Sequence, residues 1–162
     1  MDFADRRLAP ILRRCQSLPG EELFQYIDGD GQVHHITSTD VNDYLRETTG
    51  QDLTAKDFRT WAGTVLAIST LEKFGSFETK VQGKRNVVQA IKTVAEQLGN
   101  TPAICRKCYV HPAVLDTYVD GTLLAALGRR TRGRVSGLRR EEARVLGFLQ
   151  RAARHSAKGR CY

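Results

Sequence analysis

Between Thr54 and Gly75 the apolar residues recur with a helical period, and no other stretch fixes as much of the fold. Phe58, Trp61, Ala62 and Val65 fall at i, i+3, i+4 and i+7, and Leu66, Ile68 and Leu71 continue the same surface. Thr54 and Asp57 have the spacing of a capping box at the start, and Gly75 closes the run. A helix of this length with so much apolar surface must be covered by other helices. The best matched is Asn86–Leu98, with Val87, Ile91, Val94, Ala95 and Leu98 on one side and Gly99 as its C-cap. The fold expected is therefore mainly α.

The remaining segments are shorter. Arg6–Gln16 reads as a helix with Leu8, Ile11 and Leu12 on one side, ended by Pro19-Gly20. Glu21–Ile27 and Gln32–Ile36 flank Asp28-Gly29-Asp30-Gly31, the pattern of one small β-hairpin. Thr37 and Asp40 form a second capping box before a helix near Thr39–Thr48. Ser76–Arg85 reads as a polar connector. Asn100 or Thr101 caps a short helix that Pro102 tolerates. His111-Pro112 marks a break, followed by helical segments at Ala113–Tyr118 and Leu123–Leu127. Gly128–Gly137, with four arginines, reads as a linker before an amphipathic helix over Leu138–Ala153 bearing Leu138, Val145, Leu146 and Leu149. The division expected is 1–128 as the body and 129–162 as a basic linker and C-terminal helix.

Charge separates these two parts. Eleven of the 25 basic residues but only two of the 18 acidic ones follow Gly128. A near-neutral body thus carries a basic end, suited to nucleic acid, an anionic membrane or an acidic partner, or simply solvated. The start MDFADRRLAP has no apolar signal core, no run is long enough to span a bilayer, and four cysteines do not make a disulfide scaffold. A cytoplasmic monomer with no cofactor is expected. Cys105-Arg106-Lys107-Cys108 is a lone C-x-x-C without a second ligand pair at zinc spacing, so no metal site is assigned. His34 and His35 alternate faces in the hairpin and point apart.

Three motifs in order carry a resemblance. Lys56-Asp57-Phe58-Arg59-Thr60-Trp61 opens the central helix. Leu98-Gly99-Asn100-Thr101-Pro102 follows some way on, and then comes Cys105-Arg106-Lys107-Cys108-Tyr109-Val110-His111-Pro112. Over roughly residues 5–120 this resembles the C-terminal catalytic portion of the type IB DNA topoisomerases, the compact bacterial and poxviral kind above all. The wider superfamily includes the tyrosine recombinases. By position, the resemblance implies that Tyr109 is the nucleophile and that Arg59 contacts the scissile phosphate. It implies that Lys56, one turn earlier, is the supporting cation. Asn100 stands where relatives carry histidine and donates to a non-bridging oxygen, though an amide cannot become cationic. Arg106 and Lys107, with Arg129, Arg130, Arg132 and Arg134, are expected to contact double-stranded DNA. The chemistry implied is ATP- and metal-independent relaxation of supercoiled DNA through a 3′-phosphotyrosyl intermediate.

The resemblance also implies a second phosphate-binding arginine and a β-hairpin lysine acting as general acid. Both would precede this chain's Asp2–Arg7, so the catalytic domain is expected to be N-terminally truncated and completed by a missing N-terminal half, in cis or in trans. Two alternatives stand beside this reading: a tyrosine recombinase fragment with the same nucleophile, and a non-catalytic helical DNA-binding module. Taken singly, Tyr109 is a helix-end tyrosine, Arg59 a surface arginine and Asn100 a cap.

Overall fold

A threonine cap at Thr37, the Asp57 bonds to Thr54 and an aspartate-locked turn organise residues 6–57. The computed structural model describes residues 6–128 and 137–158, with backbone alone over 155–158. These fall into two units, 1–57 and 58–162. The first holds α1 (Ala9–Gln16), an antiparallel pair of β1 (Gln25–Ile27) and β2 (Val33–His35), α2 (Ser38–Thr49) and the first turn of α3. The pairing is Gln25 with His35, Tyr26 with His34 and Ile27 with Val33. Asp28 sets the turn: its Oδ1 accepts from the Asp30 and Gln32 amides at 3.0 and 2.9 Å. Its Oδ2 lies 2.6 Å from His34 Nε2. The His34 ring stacks on Tyr26 across the strands, centroids 5.2 Å apart. These bonds hold the Asp28 carboxyl below its ordinary value of 3.8, the Gln32 amide contributing most and His34 next.

Thr37 caps α2 with the reciprocal box its spacing predicts, and Gly50 ends the helix at φ 64°. At the start of α3 only half of the predicted box forms. Asp57 accepts from the Thr54 amide and hydroxyl at 2.8 and 2.7 Å, but the Asp57 amide goes to the Thr54 carbonyl. Most of the first unit's large apolar side chains are exposed, and Gln25 is its one buried residue among those described.

The second unit has the hydrophobic core. It comprises the rest of α3 (Ala55–Phe74), α4 (Lys80–Leu98), α5 (Pro102–Ile104), a π turn (Cys105–Tyr109), α6 (Pro112–Val119), α7 (Leu123–Gly128) and α8 (Arg140–Lys158). Ala67, Ile68 and Leu71 of α3 pack with Val87, Ile91 and Val94 of α4, and with Val114 and Tyr118 of α6. Val145 and Phe148 of α8 join this core, each at most 3% exposed. The Tyr118 hydroxyl donates to the Gly75 carbonyl at 3.0 Å and accepts from Asn86 Nδ2 at 2.9 Å, tying the α3–α4 loop to α6.

Several boundaries differ from expectation. The polar stretch Lys80–Arg85 is helical, so α4 begins six residues before Asn86. Thr79 caps it by accepting from the Gln82 amide at 3.2 Å, and Gly83 leaves room for the Phe77 ring, which a Cβ would touch. The buried side of α3 is Gly63, Thr64, Ala67, Ile68, Thr70 and Leu71, whereas Phe58 and Ala62 are exposed. The first helix starts at Ala9 rather than Arg6. The linker arginines Arg129, Arg130, Arg132 and Arg134 lie outside the described residues. Among those described, no helix is long and apolar enough to cross a membrane.

Candidate active site

Arg59 and Tyr109 meet although fifty positions separate them in the chain. The Arg59 guanidinium carbon stands 5.0 Å from the centre of the Tyr109 ring, within the range of a cation–π contact. Its Nη2 donates to the Leu98 carbonyl at 2.7 Å. Leu98 ends α4, so this carbonyl is one that the helix cannot satisfy and that carries partial negative charge. One edge of the guanidinium is therefore fixed by a helix end, which leaves the rest of its donor fork, among the described residues, to meet another anion.

Asn100 is positioned by the same helix end. Gly99 takes a left-handed conformation (φ 61°), and the Asn100 amide N–H returns to the Ala95 carbonyl at 3.0 Å. The side chain is half-buried and has no hydrogen-bond partner among the described residues. Thr101 then caps α5 through the Ile104 amide at 3.3 Å.

The π turn delivers Tyr109. Its first residue, Cys105, is fully buried and anchors one end, while Val110, 3% exposed, anchors the other. Arg106 and Lys107 between them are exposed. Burial pushes the Cys105 thiol above its ordinary value of 9.0, and the nearby Arg59 charge pulls it back in part. Tyr109 is half-buried at the end of the turn. Lys56 is exposed on the first turn of α3, in the first unit, where its charge helps to keep the Asp57 carboxyl low after the two Thr54 bonds.

Three residues that sequence reasoning missed complete the arrangement. Thr60 Oγ1 donates to the Cys108 carbonyl at 3.2 Å. Thr64 Oγ1, on a residue 2% exposed, accepts from the His111 amide at 3.1 Å. Gly63 lies directly beneath the Tyr109 carbonyl. The signal was the small-residue spacing Thr60, Gly63, Thr64 at i, i+3, i+4, which lets a second backbone approach a helix closely.

Arg106 and Lys84 line one side of a groove of about 560 Å³, with Asp116 and Asp120 also on its wall. Among the described residues no three His, Cys, Asp or Glu side chains gather as a metal site. Cys105 and Cys108 are both free thiols.

Residues 3–124 match the family model described as the catalytic core of eukaryotic DNA topoisomerase I. Over 114 residues the chain is 32% identical to a protein named DNA topoisomerase 1B from Acanthamoeba polyphaga mimivirus. That stretch is 66% of this chain and 34% of the viral protein, so the chain spans about a third of its relative's length.

Proposed function

The chain belongs to the type IB DNA topoisomerase family, and on that premise we propose that it relaxes supercoiled DNA by transient cleavage of one strand through Tyr109. The observation that carries this is the Arg59 guanidinium held over the Tyr109 ring and braced on the Leu98 carbonyl. A phosphodiester brought to the phenol would meet an oxygen nucleophile and a fork of donors together.

The chemistry follows from those groups. The Tyr109 oxygen attacks phosphorus and loses its proton to water. A P–O bond to tyrosine forms as the P–O bond to the 5′-oxygen breaks, and that oxygen takes up a proton to leave as a hydroxyl. One phosphoester replaces another of similar energy, so no ATP is consumed. As attack proceeds, charge spreads over the non-bridging oxygens. Arg59 N–H groups, already braced on the Leu98 carbonyl, stabilise it without reorganising, and the Asn100 amide donates beside them. Lys56 adds a further cation near the start of α3. The product is a 3′-phosphotyrosyl link; the cut strand swivels, and the 5′-hydroxyl attacks back to release Tyr109. The Leu98–Pro102 and Cys105–Tyr109 motifs favour a topoisomerase over a tyrosine recombinase.

Arg106 and Lys107 flank the nucleophile on its exposed turn and suit backbone phosphates rather than base edges. Arg129, Arg130, Arg132 and Arg134 extend that role in the proposal. The test is relaxation of negatively supercoiled plasmid in chelator without ATP. Tyr109→Phe removes only the hydroxyl, so duplex binding should persist while the protein's relaxing activity vanishes. Relaxation by the Phe variant equal to that of the parent would refute the assignment.

A further inference from the structure

We propose that Thr60, Gly63 and Thr64 are positioning residues for the nucleophile: one face of α3 grips the main chain on both sides of Tyr109 and so holds its phenol against Arg59. The inference deepens the reading of Tyr109 as the attacking residue and rests on it. Thr60 holds the Cys108 carbonyl at 3.2 Å, and Thr64 holds the His111 amide at 3.1 Å. Between them, Gly63 lets the Tyr109 carbonyl lie on the helix itself. A Cβ at Gly63 would come closer than 3.0 Å to that oxygen and to 3.3 Å from the Tyr109 carbonyl carbon. The obstacle is backbone, which cannot swing aside as a side-chain tip can. The same Cβ would also stand 3.3 Å from Leu98 Cδ1, on the residue whose carbonyl braces Arg59.

These interactions share a helix with the cation. Arg59, Thr60, Gly63 and Thr64 span less than two turns of α3, so the distance from guanidinium to phenol is set by one rigid element. Adding a methyl group at Gly63 must move the Tyr109 backbone away from α3 while Arg59 stays on it. In-line attack tolerates little displacement, and an error on the order of 1 Å can cost about 10² in rate. Gly63→Ala therefore slows attack while leaving the DNA-binding surface in place.

The experiment uses the 162-residue chain labelled with ring-¹³C tyrosine, the Tyr109 signals being assigned with Tyr109→Phe. Gly63→Ala should shift the Tyr109 ring signals and leave the Tyr118 signals in place. With supercoiled plasmid and detergent trapping, the rate of covalent adduct formation should fall roughly 10- to 100-fold while plasmid affinity stays within about twofold. Thr64→Val, which removes the acceptor, should also shift the Tyr109 signals and slow the adduct, and Thr64→Ser should restore both. Should Gly63→Ala fail to fold, the Thr64 pair decides. Tyr109 signals and adduct rates at parental values in Gly63→Ala, or in Thr64→Val, overturn the proposal. No adduct even in the parent chain would count against the nucleophile itself, and the ring signals would then judge the positioning separately.

Discussion

Arg59 has its guanidinium held on one edge by the Leu98 carbonyl and on one face by the Tyr109 ring. Such a group is preorganised for an anion and pays no orientation entropy during attack. Arg59→Ala should therefore slow single-turnover cleavage by roughly 10² to 10³, with a much smaller loss of duplex affinity. Arg59→Lys should rescue little, since a point charge cannot reproduce the planar fork. Equal losses in rate and affinity would make Arg59 a docking residue instead. Asn100 differs in kind: its amide donates without titrating, so its contribution should not change with pH, and Asn100→His should introduce a new pH dependence near the imidazole range. Motif order and spacing singled out Arg59, Asn100 and Tyr109, and the fold sets the Arg59 guanidinium against the Tyr109 ring. Thr60, Gly63 and Thr64 were not singled out, because their partners are peptide groups of a segment more than forty residues away. The trace along the chain is the small-residue spacing on one helix face, which does not name the partner.

Helix ends were legible for the converse reason: their causes are local. The Thr37 box, the Gly99 cap, the Thr101 cap and the His111-Pro112 start all form where capping chemistry puts them. The start of α4 was not, although Thr79 caps it, because the run Lys80–Arg85 is polar and shows no apolar periodicity. Nor does any local signal announce the π turn that carries Tyr109. Three carboxylates of the first unit, Asp28, Asp40 and Asp57, are each held below 3.8, chiefly by turn or cap hydrogen bonds. A depressed carboxylate stabilises the fold above its unfolded pKa, and that stabilisation is lost as pH falls through its folded value. The first unit, which has little core to compensate, should thus loosen as pH falls below about 4. Backbone amide signals of 6–57 followed through an acid titration would show this, and Asp28→Asn should remove the acid transition at the hairpin. At the other end, α8 docks through Val145 and Phe148, Arg144 pairs with Glu72, and Arg151 donates to the Ala126 carbonyl at 2.9 Å. Phe148→Ala should cost about 3–5 kcal/mol, read as a lower melting temperature. Removing everything after Gly128 should lower stability in the same way. It should also reduce the slope of log affinity against log salt by about 0.9 for each phosphate that the shortened chain no longer neutralises. An unchanged slope would confine the basic end to a structural part.

For the whole molecule, the proposed site comprises Tyr109 as nucleophile, Arg59 braced on the Leu98 carbonyl, and the Asn100 amide. The chain spans about a third of its viral relative's length, and the family resemblance adds a second arginine and a general-acid lysine to these groups. General-acid assistance is commonly worth about 10² to 10⁴ in rate, so if Tyr109, Arg59 and Asn100 act without it, plasmid relaxation should be slow. A 5′-phosphorothiolate at the scissile bond should partly restore cleavage, because sulfur leaves without a proton. Fast relaxation by the chain alone would point to a substitute acid, with Lys84 and Lys80 the first to replace. The account stands or falls, however, on where the covalent bond forms. Trapping the protein on nicked duplex DNA, digesting both components and mapping the adduct by mass spectrometry reads that bond directly. A nucleotide 3′-phosphate on Tyr109, absent from Tyr109→Phe, is the predicted result; an adduct on another residue, or one that survives Tyr109→Phe, would contradict it.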